Sequence, residues 1–157
     1  MKYSVYIETT VIGHYASRIS ANPVTAAHQK LTIEWWENVK PRFLCFISPF
    51  VYDEIRRGDP EEAEKRVRAV SDLMFLEENE EIHGLAEMYL SRLNIPERAE
   101  YDAFHIAAAV WHEMDFLLTW NCTHISNAMV IKVVQEINDE LNIRTPVICT
   151  PEELLVI

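Results

Sequence analysis

Glycine is scarce in this sequence, with only three in 157 residues. Neither G-x-G-x-x-G nor G-x-x-x-x-G-K-[ST] occurs, which excludes the usual glycine-based loops that cradle nucleotide phosphates. Cysteine is equally sparse. Cys45, Cys122 and Cys149 are scattered and odd in number, and no C-x-x-C pair exists. That argues against a disulfide framework and against a cysteine zinc site. Cys45 and Cys149 lie in apolar runs and are expected as buried thiols. Long hydrophobic runs are missing too. The opening MKYSVYIETTVIGHY meets a glutamate too early for a signal-peptide core, and no later stretch is long enough to span a bilayer. A cytoplasmic protein is therefore expected. Positive charge is in deficit, with 14 basic against 25 acidic residues and a formal net charge of −11. A chain that coats polyanions blindly would be basic. A nuclease remains compatible with this balance where metal ions and a local basic patch offset the repulsion.

What is present is apolar and alternating. At 49% hydrophobic residues the chain can bury a real core, and neither an internal repeat, a low-complexity tract nor a linker divides it. One domain over residues 1–157 is expected. Tyr3 to Ile7 is short, β-branched and aromatic, the pattern of a buried strand, with Thr9 and Thr10 as caps for a helical turn after it. Asn22-Pro23 reads as part of a loop, followed by a helix from Ala26 to Val39 that Pro41 stops. FLCFIS, ending at Ser48, is a continuous apolar run as in a strand covered on both faces, and Pro49 opens a helix toward Arg57. A helix from Asp59, a short strand near Met74, and helices from Glu80 to Leu93 and from Asp102 to Met114 follow. FLLTW, ending at Trp120, and Pro146 to Cys149 are further strands on either side of a helix from Ser126 to Leu141, and Pro151 to Leu155 forms a last helical turn. Apolar strands alternating with helices predict an α/β fold: a three-layer α/β/α sandwich around a mainly parallel sheet.

In such sheets, sites form outside the carboxyl ends of the strands. Glu8 follows the first strand and Asn121 follows FLLTW. Glu54 lies about a helical turn past FLCFIS, and Asp102 opens the helix that feeds into FLLTW. At a helix start the dipole favours an ionised carboxylate by roughly 0.3–1 kcal/mol. Four polar groups from four distant segments thus converge at one end of the sheet. Close carboxylates repel, and a hard cation such as Mg²⁺ or Mn²⁺ relieves that repulsion.

The segments YIETTVIGHY, SPFVYDEIRRG, DAFHIAAA and LLTWNCTHISNA, in that order, resemble the motif blocks of PIN-domain proteins, and in particular a VapC-like branch associated with toxin–antitoxin systems. The similarity extends over nearly the whole chain, including the terminal TPEELL. It implies a parallel α/β/α sandwich and metal-dependent RNA cleavage, with a cognate antitoxin and a homodimer as partners. Carried over block by block, the acidic positions match Glu8, Glu54 and Asp102. Two departures have physical weight. Asn121 stands where the fourth block usually has aspartate, and its amide oxygen can ligate a metal but brings no charge. Glu8 stands where aspartate is more common and reaches one methylene further. Three carboxylates remain, sufficient for one divalent ion.

The resemblance implies that Glu8 and Asp102 hold the ion, with Glu54 and Asn121 binding through water or orienting the nucleophile. Thr9 and Thr119 are placed to hydrogen-bond the carboxylates, and Arg56 and Arg57 to contact a phosphate backbone. Each has a plainer alternative. Asp102 is also a common cap, Asn121 a turn former, Glu54 an exposed helix residue, and the two arginines salt-bridge partners for nearby glutamates. His105 more often packs between helix and sheet with one nitrogen satisfied than acts as a base, and His14 and His124 are read the same way. Trp35-Trp36 reads as core on one side and partial surface on the other; an exposed indole there would suit a dimer interface. A catalytically degenerate PIN-like module that binds RNA or protein is the competing function, favoured by Asn121. A receiver-like domain would need a lysine near the site after a later strand, and the residues that directly follow FLLTW lack one.

Overall fold

A computed structural model describes residues 1–155 of the chain. The chain runs β1 (Ser4–Ile7), α1 (Thr9–Ala16), α2 (Pro23–Glu34), β2 (Leu44–Ile47), α3 (Pro49–Ile55), α4 (Pro60–Ala69), β3 (Met74–Phe75), α5 (Glu80–Leu93), α6 (Glu100–Trp111), β4 (Phe116–Leu118), α7 (Ala128–Glu140) and β5 (Val147–Cys149). All strand pairs are parallel, in the order β3-β2-β1-β4-β5. This is the three-layer α/β/α sandwich, with α1 packed against α2, α3 and α4, and α5 against α6 and α7.

β1 is central because it is apolar on both faces. Val5, Tyr6 and Ile7 are all fully buried, each contributing about 1.5–3 kcal/mol of hydrophobic stabilisation. Strand order reverses around β1, so the crevice between the carboxyl ends of β1 and β4 is the place where the topology leaves room for a ligand. β2 departs from its expected cover. Leu44 is exposed and Phe46 half-exposed, whereas Cys45 and Ile47 on the opposite face are buried, so the strand is fully covered on one face only.

Several boundaries differ from the sequence reading for local reasons. Asn22-Pro23 starts a helix instead of a loop: the Asn22 side chain accepts from the amides of Val24 and Thr25, and Pro23 occupies a first-turn position that needs no amide donor. Helix α6 opens at Glu100, so Asp102 sits within its first turn. Glu8 itself, not a threonine, caps α1, its carboxylate accepting from the Thr10 amide. The PEELL segment forms turns and no helix. Trp35 and Trp36 are 0% and 7% exposed, so neither indole is available to a dimer partner. A wide π-helical turn over Trp35–Val39 carries both, and Tyr15 stacks on Trp36 with ring centroids 4.5 Å apart. Cys45 and Cys149 are buried and Cys122 is exposed.

Candidate metal centre

The carboxyl ends of β1 and β4 are laced together through threonine hydroxyls. The Trp120 amide donates to Thr10 Oγ1, and the Asn121 amide donates to Thr119 Oγ1, each at 2.9 Å. Both hydroxyls pass their own protons to one atom, Glu8 Oε2, Thr119 at 2.8 Å. The Thr10 amide adds a third donor to the same oxygen at 3.1 Å. Glu8 Oε1 receives no hydrogen bond among the described residues; its nearest charged neighbour is His105 Nε2 at 4.0 Å.

Glu54, projecting from α3, is held in a complementary way. Its Oε1 accepts from Thr9 Oγ1 at 2.7 Å and from His105 Nε2 at 2.5 Å. Glu8, Glu54 and His105 each offer a ligand atom, and these lie within 4.8 Å of one another. Among the described residues no lysine or arginine forms an ion pair with either glutamate. Glu8 is 2% exposed. Burial raises its pKa above the ordinary glutamate range, against the opposing pull of the His105 charge and of the Thr10 and Thr119 hydrogen bonds. For Glu54 burial works the same way, but the His105 hydrogen bond and charge and the Thr9 bond outweigh it, and the pKa falls. His105 is depressed by burial, yet its bond to Glu54 and the charges of Glu8, Glu54 and Asp102 raise it overall. Adjacent carboxylates pushed in opposite directions mark a chemically active site more often than a structural one.

The other expected residues stand nearby in different arrangements. Asp102 Oδ2 is bonded to His124 Nδ1 at 2.9 Å. Asn121 Oδ1 accepts from the amides of Thr123 at 3.3 Å and His124 at 3.0 Å, closing its own turn. Asp102 and Asn121 are therefore linked through His124, and Asp102 is not a member of the Glu8–Glu54–His105 cluster. Arg57 pairs with Asp53 at 2.7 Å and lies 4.8 Å over the Tyr101 ring, while Arg56 lies 4.8 Å over Tyr52. Both arginines remain exposed at the end of α3. His14 Nδ1 bonds Thr10 O, and the ring packs with His28 beside Trp120. His105 differs from the plain reading, because both of its nitrogens are engaged: Nδ1 meets the Tyr6 hydroxyl at 2.7 Å, and that hydroxyl meets Ser48 Oγ at 2.7 Å.

The donor set fits a hard divalent cation. It presents two carboxylates with an oxygen each outside the threonine and histidine hydrogen bonds, one of them buried and without a lysine or arginine partner among the described residues.

The same architecture recurs in solved toxin–antitoxin structures. The chain superposes on VapBC2 from Rickettsia felis, bound to a DNA fragment from its promoter, with a TM-score of 0.54 and 11% identity, over 94% of this chain and 98% of that one. VapBC-1 from nontypeable Haemophilus influenzae gives a TM-score of 0.57 and 15% identity over the same shares, 94% and 98%. The fold is PIN-like. No protein-family model and no curated sequence matches this PIN-like chain. Among its described residues, no helix is long and apolar enough to cross a membrane.

Proposed function

We propose that the chain is a metal-dependent endoribonuclease of VapC-like PIN type, the toxin of a toxin–antitoxin pair acting in the cytoplasm as a homodimer. The observation that carries this reading is the placement of Glu8 and Glu54 against each other at the switch point of a PIN-like sheet. RNA is the substrate, a cognate antitoxin the partner, and Mg²⁺ or Mn²⁺ the cofactor. Bound there, the ion supplies charge neutralisation at the scissile phosphate and a lowered pKa for a water molecule. The protein's own part is positioning. Thr10 and Thr119 fix which Glu8 oxygen faces the cleft, and Thr9 with His105 does the same for Glu54. Asp102, steadied by His124, adds negative charge beside the cluster. Arg56 and Arg57 are exposed near Glu54 and suit contacts to the phosphate backbone.

The test is calorimetric titration of Mn²⁺ and Mg²⁺ into wild type, Glu8→Gln and Glu54→Gln, followed by cleavage of a mixed RNA pool with and without chelator. Binding in wild type that both substitutions abolish, with chelator-sensitive cleavage, supports the nuclease. A wild type that binds no ion at millimolar concentration, with or without RNA, would sink it. The second reading, a catalytically degenerate binding module, is favoured by one observation: the Asn121 side chain is spent on its own turn. RNA binding without cleavage or ion uptake would establish that alternative.

A further inference from the structure

His105 is the nitrogen donor of the cluster, and its place there depends on where its protons sit. Behind it lies a chain of buried hydroxyls. Tyr6 and His105 are 0% exposed and Ser48 is 1% exposed. Ser48 caps α3, its Oγ accepting from the Val51 amide at 3.4 Å. The acceptor that the structure provides for the Ser48 proton is the Tyr6 oxygen at 2.7 Å. Tyr6 then turns its own proton to His105 Nδ1, also at 2.7 Å. Nδ1 is thereby an acceptor, so a neutral His105 carries its proton on Nε2, facing Glu54 Oε1 at 2.5 Å. In the imidazolium form Nε2 carries a proton as well, although its Nδ1 proton turns the Tyr6 hydroxyl toward Ser48 Oγ and costs the Ser48 hydroxyl this acceptor. The remaining form, neutral and protonated on Nδ1, leaves the Ser48 hydroxyl without an acceptor. It also sets the Nε2 lone pair against those of Glu54. Because the chain ends at a buried helix cap, it does not conduct protons to solvent. Its effect is to choose a tautomer.

We infer that the Ser48–Tyr6–His105 chain keeps the imidazole out of the coordination sphere and so makes the centre an all-oxygen site that discriminates against Zn²⁺. This rests on the reading of Glu8 and Glu54 as metal ligands. Imidazole nitrogen suits Zn²⁺, whereas carboxylate and water suit Mg²⁺ and Mn²⁺. With Nε2 occupied by its proton, the site offers Zn²⁺ only the oxygen donors it offers the harder ions. Tyr6 and Ser48 are thus positioning residues for metal selectivity, and neither touches the ion.

The experiment is a calorimetric comparison of Zn²⁺ and Mn²⁺ affinities in wild type, Tyr6→Phe, His105→Gln and the double variant. Tyr6→Phe removes the donor that holds Nδ1, and the Zn²⁺-to-Mn²⁺ affinity ratio is expected to rise about tenfold, the scale on which outer-shell partners tune metal sites. His105→Gln alone leaves the ratio unchanged, and the double variant loses the gain. Independently of any variant, histidine-labelled wild type followed by ¹⁵N–¹H correlation keeps its Nε2 proton when saturated with Mg²⁺ or Zn²⁺. Loss of that proton on metal addition, or a tenfold drop in the Zn²⁺-to-Mn²⁺ affinity ratio in His105→Gln, would overturn the inference while leaving the metal site standing. Wild type that binds neither Mn²⁺, Mg²⁺ nor Zn²⁺ ends both.

Discussion

Glu8 and Asp115 bridge the same two strands, β1 and β4, from opposite ends of the sheet, and they are built in contrasting ways. At the amino end, Asp115 Oδ2 accepts from the Ser4 amide and hydroxyl at 2.8 and 2.9 Å, and the Ser4 hydroxyl in turn accepts from the Asp115 amide at 2.9 Å. Its other oxygen meets Arg144 at 3.3 Å. Both oxygens are satisfied and a countercharge stands beside them. Chiefly through the backbone bond from Ser4, and against the opposing effect of burial, the pKa of Asp115 falls below the ordinary aspartate value. At the carboxyl end Glu8 has three donors on one oxygen and none on the other, is buried, and has no arginine or lysine partner among the described residues. Its pKa rises. Two carboxylates with similar hydroxyl partners are thus satisfied to different extents: both oxygens of Asp115 are paired, and one oxygen of Glu8 has no hydrogen bond among the described residues.

The comparison breaks most directly at Glu8. Glu8→Gln should weaken divalent binding by about 100-fold, at the upper end of what loss of one contact in a metal site does. Asp115→Asn should leave ion affinity within error, and calorimetry decides both. A parallel loss at Asp115 would mean that the two ends of the sheet do not act separately. Stability should show the reverse order. Asp115→Ala removes two hydrogen bonds from Ser4 and is expected to cost about 1–3 kcal/mol in denaturant melts. Metal-free Glu8→Gln should melt no lower than wild type, because it removes a buried charge that no lysine or arginine pairs with among the described residues.

Acid separates the two ends further. Asp115 has its folded pKa below its unfolded value, so its contribution is fully present above the unfolded aspartate value of about 3.9 and is lost as pH falls through the folded one. Asp115→Asn should lower stability at neutral pH, where the ionised contribution is fully present, and flatten the profile below about pH 4, where wild type loses it. A variant that tracks wild type through this range would show that the Ser4 clamp does not depend on ionisation. The smallest change is expected from Asn121→Asp. Its side chain already accepts two amides of its own turn, a duty aspartate performs equally well, so ion affinity should shift by no more than about threefold. A gain of tenfold or more in calorimetry would mean that the new carboxylate swings into the cleft.

The fold was legible because periodicity is a local property. VYI and FLL read as buried strands, and the helices between them read as crossovers, without knowledge of any partner. Glu8 and Glu54 were legible for a related reason: each follows an apolar strand, where a parallel sheet opens. Thr9 and Thr119 were legible beside them, and they do bond Glu54 and Glu8. The Tyr6–His105 pair was not, because its role arises from a contact across 99 residues. Tyr6 in particular is a core residue by every sequence criterion; only the buried serine and histidine on either side of its hydroxyl reveal a second duty. Asp102 shows the opposite case. Its position in the first turn of α6 was readable, but not the fact that it turns toward His124.

The three thiols divide in a way that matters at the bench. Burial pushes Cys45 and Cys149 up to about 12, so at neutral pH they hold almost no thiolate and resist alkylation and oxidation. Cys122 is exposed and adjoins Asn121. A maleimide dye or spin label added to the native protein should therefore enter at one sulfur, without any engineered cysteine. The molecule carries its own reporter one residue from Asn121.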